Sequence, residues 1–145
     1  MDVFSRTFLP AAAEAGVAIP TVSRHMPIFR RCIEPDEKTV LVSRCLRPDA
    51  PLAGEFMMVL TYRRLVITQE TKVLHRLRLH LNANLRHLSN VSWRPEPERS
   101  TMDITATAVD GVREQFRLRL AHPKAVMRFD TLLQTVFARP RAIAA

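Results

Sequence analysis

The chain has 145 residues, of which 47% are hydrophobic and 25% are charged, and its formal net charge is +8. These proportions are those of one globular domain, and they exclude a disordered or collagen-like chain. A domain of this length buries enough surface to fold without disulfides or a structural metal. The charge would attract phosphate-rich partners. The cations are nearly all arginines, as a GC-rich genome gives at ordinary surface positions, which favours a solvated basic surface over a dedicated phosphate site.

The two cysteines and the apolar segments bear on the cellular compartment. Cys32 and Cys45 lack the spacing of a metal or redox motif, so we expect reduced thiols. The N-terminus lacks the basic start and long apolar core of a secretory signal. No apolar run approaches the roughly 20 residues that span a bilayer. We therefore expect a cytoplasmic protein without a transmembrane segment.

Residues 1–35 show helical patterns. The stretch FLPAAAEAG favours a short helix with Pro10 in its first turn. A second helix is predicted between Pro20 and Pro35, with Pro27 kinking or restarting it. Its apolar residues recur at helical spacing, at Val22, Met26, Phe29 and Ile33. We predict an N-terminal helical extension that packs on the rest of the chain or on a second copy, with Met26 and Phe29 as candidate partner contacts.

From Lys38 onward the apolar period changes to two. KTVLVSRCL predicts a first strand, which ends at the proline-containing loop RPDAPLAG. The next stretch, EFMMVLTYRRLVITQE, is too long for one strand, so we predict a hairpin folded at Thr61–Arg64. Arg63 and Arg64 then lie at its tip. We interpret them as structural or solvated, with a partner contact as the alternative.

Two later segments alternate strongly between apolar and charged residues. In VLHRLRLHL we predict a strand with one face apolar and Arg76, Arg78 and His80 pointing outward. In VREQFRLRL we expect Arg113, Arg117 and Arg119 outward, and Glu114 on the core face near a turn where water reaches it. Between them, LRHLSNVSW predicts a fifth strand, RPEPERS a polar turn and TMDITATAV a sixth strand. Asp110–Gly111 is a strong hairpin signal.

An amphipathic helix closes this region, because HPKAVMRFDTLLQTVFARP carries an apolar stripe and ends at Pro140. We predict a core that draws on most of these elements. Its members are Leu41, Met58, Leu60, Leu65, Ile67, Leu77, Leu79, Ile104, Phe116, Leu118, Phe129 and Leu133.

Seven antiparallel strands followed by one helix resemble the layout of a pleckstrin-homology-like (PH-like) domain. The segment VLTYRRLVIT, residues 59–68, is similar to the LT-x-x-RL hairpin of bacterial PH-like domains. The resemblance implies a mostly β (α+β) fold: a seven-stranded antiparallel barrel over residues 36–138, capped by the C-terminal helix. Residues 1–35 form the extension and residues 139–145 a tail.

Functional expectations follow from the resemblance and from the motifs. PH-like domains bind inositol phosphates, peptides or proteins, and here the first hairpin loop has few of the basic residues that lipid-binding members use. No glycine-rich phosphate loop or nucleophile elbow is present. His75 and His80 would face opposite sides of one strand, which makes them a poor metal pair. We expect no enzymatic activity, no metal and no cofactor.

The favoured function is a protein-interaction or assembly module, with a protein partner or a homo-oligomer. Candidate surfaces are the N-terminal helices and the groove between the fifth strand and the C-terminal helix. The alternative is weak binding to phospholipid headgroups or nucleic acid through the outward arginines. Its residues would be Arg76, Arg78, His80, Arg113, Arg117 and Arg119.

Overall fold

The computed structural model describes residues 1–137, so the predicted tail at 139–145 lies outside the described residues. The helices are α1 (Val3–Glu14), α2 (Ile19–Cys32) and α3 (Pro123–Phe137). The strands are β1 (Thr39–Leu46), β2 (Glu55–Thr61), β3 (Arg64–Glu70), β4 (Leu77–Asn84), β5 (Ser89–Glu96), β6 (Thr101–Thr107) and β7 (Arg113–Arg119). Short 3₁₀ helices lie at Leu85–His87 and Pro97–Arg99.

The strands within residues 1–137 form one antiparallel sheet in the order β4-β3-β2-β1-β7-β6-β5. β1 pairs with β2 along most of its length but with β7 only at Cys45 and Leu46. The predicted hairpin between Thr61 and Arg64 is confirmed, because Leu60 pairs with Leu65. This strand order, with a helix after β7, confirms the predicted PH-like fold.

The interior of the barrel is one apolar cluster, closed by α3. Val126, Phe129 and Leu133 of α3 pack against the inward side chains of the strands. The predicted core residues are buried there, with the exception of Leu77 and Leu79.

A second apolar cluster lies outside the barrel, between the N-terminal helices and β1–β3. Phe4, Phe8 and Phe29 pack on the outward side chains of these strands. The strand residues that they cover are Val42, Met57, Val59 and Val66. The strands β2 and β3 are therefore buried on both faces, which explains why the stretch from Glu55 to Glu70 is apolar almost throughout.

The start of β4 departs from the predicted alternation. Ile67 pairs with Leu81 but Thr68 pairs with Leu79, so His80 is the extra residue of a β-bulge. A shift of one residue exchanges the two faces of a strand. Leu79 consequently points outward and is 43% exposed, while the ring of His80 lies inside, 5.3 Å from the Phe56 ring. Arg78 pairs with Gln69, which pairs with the core residue Phe56, so Arg78 lies on the inner face of the sheet. The predictions that Leu77 and Leu79 are core residues and that Arg78 and His80 lie on the outer face are wrong.

Several element boundaries also differ from prediction. α1 begins at Val3, because the Asp2 carboxylate accepts a hydrogen bond from the Ser5 amide, and Pro10 lies inside the helix rather than in its first turn. Pro27 lies within a continuous α2, which it does not restart. The fifth strand begins only at Ser89, and most of the predicted polar turn after Trp93 belongs to that strand or to a 3₁₀ helix.

Candidate interaction surfaces

The two arginines at the tip of the β2–β3 hairpin have different environments. Arg64 is mostly buried: its Nη2 atom lies 3.0 Å from the Glu37 carboxylate and its Nη1 atom donates to the Cys32 carbonyl at 2.7 Å. Glu37 is buried and also accepts a hydrogen bond from the Thr61 hydroxyl at 2.8 Å. Arg63 instead pairs with Asp36 at the exposed surface. Arg64 thus joins the N-terminal segment to the hairpin, and only Arg63 presents its side chain to solvent.

The predicted partner contacts on α2 pack against the chain's own barrel. Phe29 is 0% exposed, and its ring lies 5.6 Å from the Phe8 ring. Met26 is half-buried against the same cluster. The apolar face of α2 is therefore covered, and Phe29 offers no surface to a partner in this conformation.

The predicted arginine rows do not form one patch along the sheet, because three strands separate β4 from β7. Arg76 precedes β4 and is exposed in the loop. Arg78 donates a hydrogen bond to the Gln69 side chain. Arg117 makes two hydrogen bonds to Asp103, which raise the pKa of its guanidinium. Arg113 and Arg119 are exposed near opposite ends of β7.

A polar cluster lies inside the barrel at one end. His80 Nε2 lies 2.9 Å from Glu114 Oε1, and Arg47 Nη1 lies 3.6 Å from the same oxygen. Glu114 is buried, so the prediction that water reaches it is wrong. The three residues come from the β1–β2 loop, from β4 and from the start of β7. They therefore tie three parts of the same barrel end together.

That barrel end consists of three loops, which we call the loop end: residues 47–54, 71–76 and 108–112. Gly54 shows how closely two of them approach, because a Cβ atom there would lie 2.2 Å from the Glu70 carbonyl oxygen. The pairing of Glu55 with Glu70 places these two loops side by side. The contact between Arg47 and Glu114 brings the third loop to the same end.

The loop end exposes large aliphatic side chains. They are Leu52 (82% exposed), Val73 (87%), Leu74 (65%), Val109 (82%) and Val112 (50%). This surface is not predicted from the sequence, because Val73 and Val112 begin the alternating segments VLHRLRLHL and VREQFRLRL and there continue the apolar face of a predicted strand. The available signal for Val109 and Val112 was the Asp110–Gly111 turn between them, whereas the segment TKVLHR around Val73 and Leu74 contains no turn residue of this kind.

Internal hydrogen bonds define the backbone of both hairpin loops. In the β3–β4 loop, the Thr71 amide donates to the Arg76 carbonyl at 2.9 Å and the Arg76 amide to the Thr71 hydroxyl at 3.0 Å. In the β6–β7 loop, the Ala108 amide donates to the Val112 carbonyl at 2.9 Å. Gly111 has a φ of +86°, as the tight turn requires. The aliphatic tips are therefore held in solvent by ordered turns.

A second surface is a cavity of about 330 Å³ between α1, the first half of β1 and the start of α3, which we call the β1 groove. Its apolar lining includes Ala11, Ala15, Val40, Val42, Ala125 and Leu132. Glu14 of α1 pairs with Arg128 of α3 across its mouth, and this hydrogen bond lowers the pKa of Glu14.

The groove proposed between the fifth strand and the C-terminal helix is closed along its middle. The Trp93 indole donates a hydrogen bond to the Asp130 carboxylate at 2.7 Å, and its ring lies 6.2 Å from the Phe137 ring. An open cavity of about 680 Å³ remains beyond this contact, beside Leu88, Val91 and Val136.

Within residues 1–137, no helix is long and apolar enough to cross a membrane. In the same range, no group of three or more histidine, cysteine or acidic side chains is arranged to hold a metal ion.

Comparisons with known proteins give no family. No family model matches the chain. No curated protein matches it either. Among solved structures, the chain is similar to a structure of Vav1 inhibited by an allosteric inhibitor, with 7% identity and a TM-score of 0.46. The match covers 92% of this chain, which spans 33% of the Vav1 chain. The assignment of the fold rests on the strand pairing above.

Proposed function

We propose that this chain is a non-enzymatic interaction module that attaches reversibly to an anionic membrane surface through its loop end. The observation that carries the proposal is the clustering of Leu52, Val73, Leu74, Val109 and Val112, all at least half exposed, at one end of the barrel. Single exposed apolar residues are ordinary, whereas a group of them on one surface indicates a binding site.

The hydrophobic effect would supply most of the free energy of membrane binding. Full burial of one valine or leucine side chain stabilises by on the order of 1.5–3 kcal/mol. Insertion of loop tips to the depth of the headgroup boundary buries only part of each side chain. The sum over the tips is therefore that of a peripheral, reversible contact rather than that of a membrane span.

The charges around the aliphatic tips favour an anionic surface over a neutral one. Lys72, Arg76, Arg78 and Arg113 are exposed on or beside the loops. Each basic residue near an anionic leaflet contributes about 1 kcal/mol. Of the nearby acids, Asp49 pairs with Arg47, Glu70 pairs with Arg24, and Asp110 accepts a hydrogen bond from the Val112 amide. Glu55 is exposed beside the loops and, among the described residues, makes no ion pair. Arg76, Arg78 and Arg113, which were predicted as parts of two strand faces, would thus contact the anionic surface from the loop end.

The cytoplasmic side of a membrane is the compartment that fits this function. Cys32 and Cys45 are both free thiols, as a reducing compartment maintains them. The cytoplasmic leaflet also carries the anionic lipids that attract basic residues.

Vesicle flotation tests the proposal. The wild type should float with phosphatidylcholine–phosphatidylglycerol vesicles and float poorly with phosphatidylcholine alone. The double variant Val73→Ser, Leu74→Ser should lose about tenfold in partitioning, because two apolar side chains no longer leave water. The matched control is Tyr62→Ser, which removes an exposed apolar side chain at the opposite end of the barrel.

A charge variant separates the electrostatic contribution. Arg76→Glu should weaken binding to anionic vesicles, and more so at low salt. Arg6→Glu makes the same charge change on α1 and should have a smaller effect. Flotation of both the Val73→Ser, Leu74→Ser variant and the Arg76→Glu variant to the same extent as the wild type would overturn the proposal.

Binding of a partner protein is a second candidate function, as the sequence analysis favoured. The observation behind it is the β1 groove, which lies apart from the loop end along β1.

A further inference from the structure

We propose that the β1 groove binds an extended, acidic segment of a partner protein, which adds as a strand to the free edge of β1. This inference is independent of membrane attachment, because the groove lies beside the first half of β1 and the loop end follows its last residue.

The first half of β1 has an open hydrogen-bonding edge. In the described part of the chain, residues from Thr39 to Arg44 pair with β2, whereas β7 pairs with β1 only at Cys45 and Leu46. β7 ends at Arg119, and the next amide, that of Leu120, donates to the Ser100 carbonyl instead of to β1. Within residues 1–137, the side of β1 that faces the groove therefore has no strand partner over this half.

The open edge is limited at both of its ends. At its start, the Thr39 amide donates to the Thr7 hydroxyl of α1 at 2.9 Å. At its far end, the ladder to β7 begins at Cys45. Between them lie five residues, 40–44, which span about 16 Å at the rise of a strand. An unpaired edge is a template for another extended chain, and its length here fits a segment of about five residues.

The groove also has room for side chains. Small residues line both helical walls, with Ala11 on α1, Ala15 at the end of that helix and Ala125 on α3. Val40, Leu41 and Val42 lie along the strand edge, so the cavity of about 330 Å³ is mostly apolar. In an added strand every second side chain would point into this cavity, which gives selectivity for apolar residues at alternate positions.

The charges at the rim select an acidic segment. His122, just before α3, and Lys124 and Arg128 of α3 line the cavity, whereas Glu14 is the one carboxylate among the described residues of its lining. Glu14 is already paired with Arg128. The rim is therefore net positive, and carboxylates beside the apolar positions of a bound segment would meet Lys124 and His122.

A phage-displayed library of random peptides, selected on the full chain, identifies ligands for the test. Enriched peptides should alternate apolar residues with positions that carry Asp or Glu. A synthetic enriched peptide should slow hydrogen exchange of those amides between Val40 and Arg44 that face the groove by about tenfold or more, because added backbone hydrogen bonds protect them. The alternate amides face β2 and should exchange at an unchanged rate. Peptides that bind without protecting these amides would overturn the proposal.

Three substitutions test the cavity and the charge of its rim with the same peptide. Ala15→Phe fills the cavity and should weaken binding by at least about tenfold. Lys124→Glu should weaken peptide binding by about fivefold, because it makes the rim less positive. Glu14→Gln should strengthen binding, because it makes the rim more positive. Each change in an exposed charge alters the free energy of binding by roughly 1 kcal/mol or less. Lys72→Glu, the same charge change at the loop end, is the control and should leave peptide affinity unchanged.

The other possible occupants are distinguishable. A dimer in sedimentation velocity that Ala15→Phe dissociates would mean that a second copy fills the groove, and this would overturn the assignment to a partner protein. Oleate binding that Ala15→Phe abolishes, in the absence of any enriched peptide, would likewise overturn it. Neither result bears on the membrane proposal, which flotation of the Val73→Ser, Leu74→Ser variant tests separately.

Discussion

At the scale of single residues, the neighbouring arginines Arg63 and Arg64 allow the same substitution to be compared at an exposed and at a mostly buried position. Arg64→Met leaves the buried Glu37 carboxylate without its cation and removes the hydrogen bond to the Cys32 carbonyl. Removal of one partner from a buried ion pair is strongly destabilising, so we expect the free energy of unfolding to fall by about 3 kcal/mol. Arg63→Met breaks only an exposed pair with Asp36 and should leave stability unchanged within error. Urea denaturation measures both, and equal effects would contradict the structural role of Arg64.

His25 predicts a pH dependence of stability. It is 3% exposed and contacts the Thr68 hydroxyl at 2.6 Å, and burial lowers its pKa despite the nearby Glu70 carboxylate. As the pH falls, the unfolded chain, with a histidine pKa near 6.5, therefore binds a proton at a higher pH than the folded chain does. The contribution of neutral His25 is present above about pH 6.5 and is lost as the pH falls towards the folded pKa.

The variant His25→Gln isolates this contribution from the other histidines. We expect the free energy of unfolding of the wild type to fall more steeply between about pH 7.5 and 5.5 than that of the variant, as His25 alone differs. Parallel pH profiles, measured by urea denaturation, would mean that His25 takes up a proton equally in both states.

At the scale of elements, the N-terminal helices are predicted to stabilise the barrel through its outer face. Phe8 is 0% exposed within the cluster that covers Val42 and Met57, whereas the next residue, Leu9, is 39% exposed. Phe8→Ala should cost about 3–5 kcal/mol, because it leaves a cavity. Leu9→Ala should cost about 1 kcal/mol or less. A small effect of Phe8→Ala on the guanidinium unfolding midpoint would show that the extension packs loosely.

The elements also show what the sequence could predict. Local patterns were sufficient for the β2–β3 hairpin and for the Asp110–Gly111 turn, because turn residues and alternation determine them. The arrangement of the seven strands was instead implied by the resemblance to PH-like domains. The register of β4 was not predictable in this way. Its bulge places His80 against Glu114 and Arg47, which are distant in sequence, and the tertiary contact overrides the local alternation.

The difference between local patterns and tertiary contacts also explains which surface residues could be predicted from the sequence. Arg76, Arg78 and Arg113 were identified from the sequence as basic residues, and they do flank the loop end. The aliphatic tips were missed because Val73 continues an alternating run that, in the structure, is a loop. The β1 groove depends on where β7 separates from β1, a tertiary feature that no local pattern contains.

At the scale of the whole molecule, the two proposed sites lie at different positions on the barrel. The loop end follows the last residue of β1, and the β1 groove lies beside its first half, between two helices. A membrane surface on the loops and a strand in the groove would therefore not compete for the same residues. A chain that binds both would connect a partner protein to the membrane.

Membrane attachment through the loop end is the central claim, and the depth of one loop residue tests it most directly. A Leu74→Trp, Trp93→Phe variant carries its single tryptophan at the tip of the β3–β4 loop. With phosphatidylglycerol vesicles that contain brominated lipids, we expect its fluorescence to be strongly quenched, and the fluorescence of Tyr62→Trp, Trp93→Phe to be unaffected. Equal quenching of the two variants, or none for position 74 in vesicle-bound protein, would contradict the account.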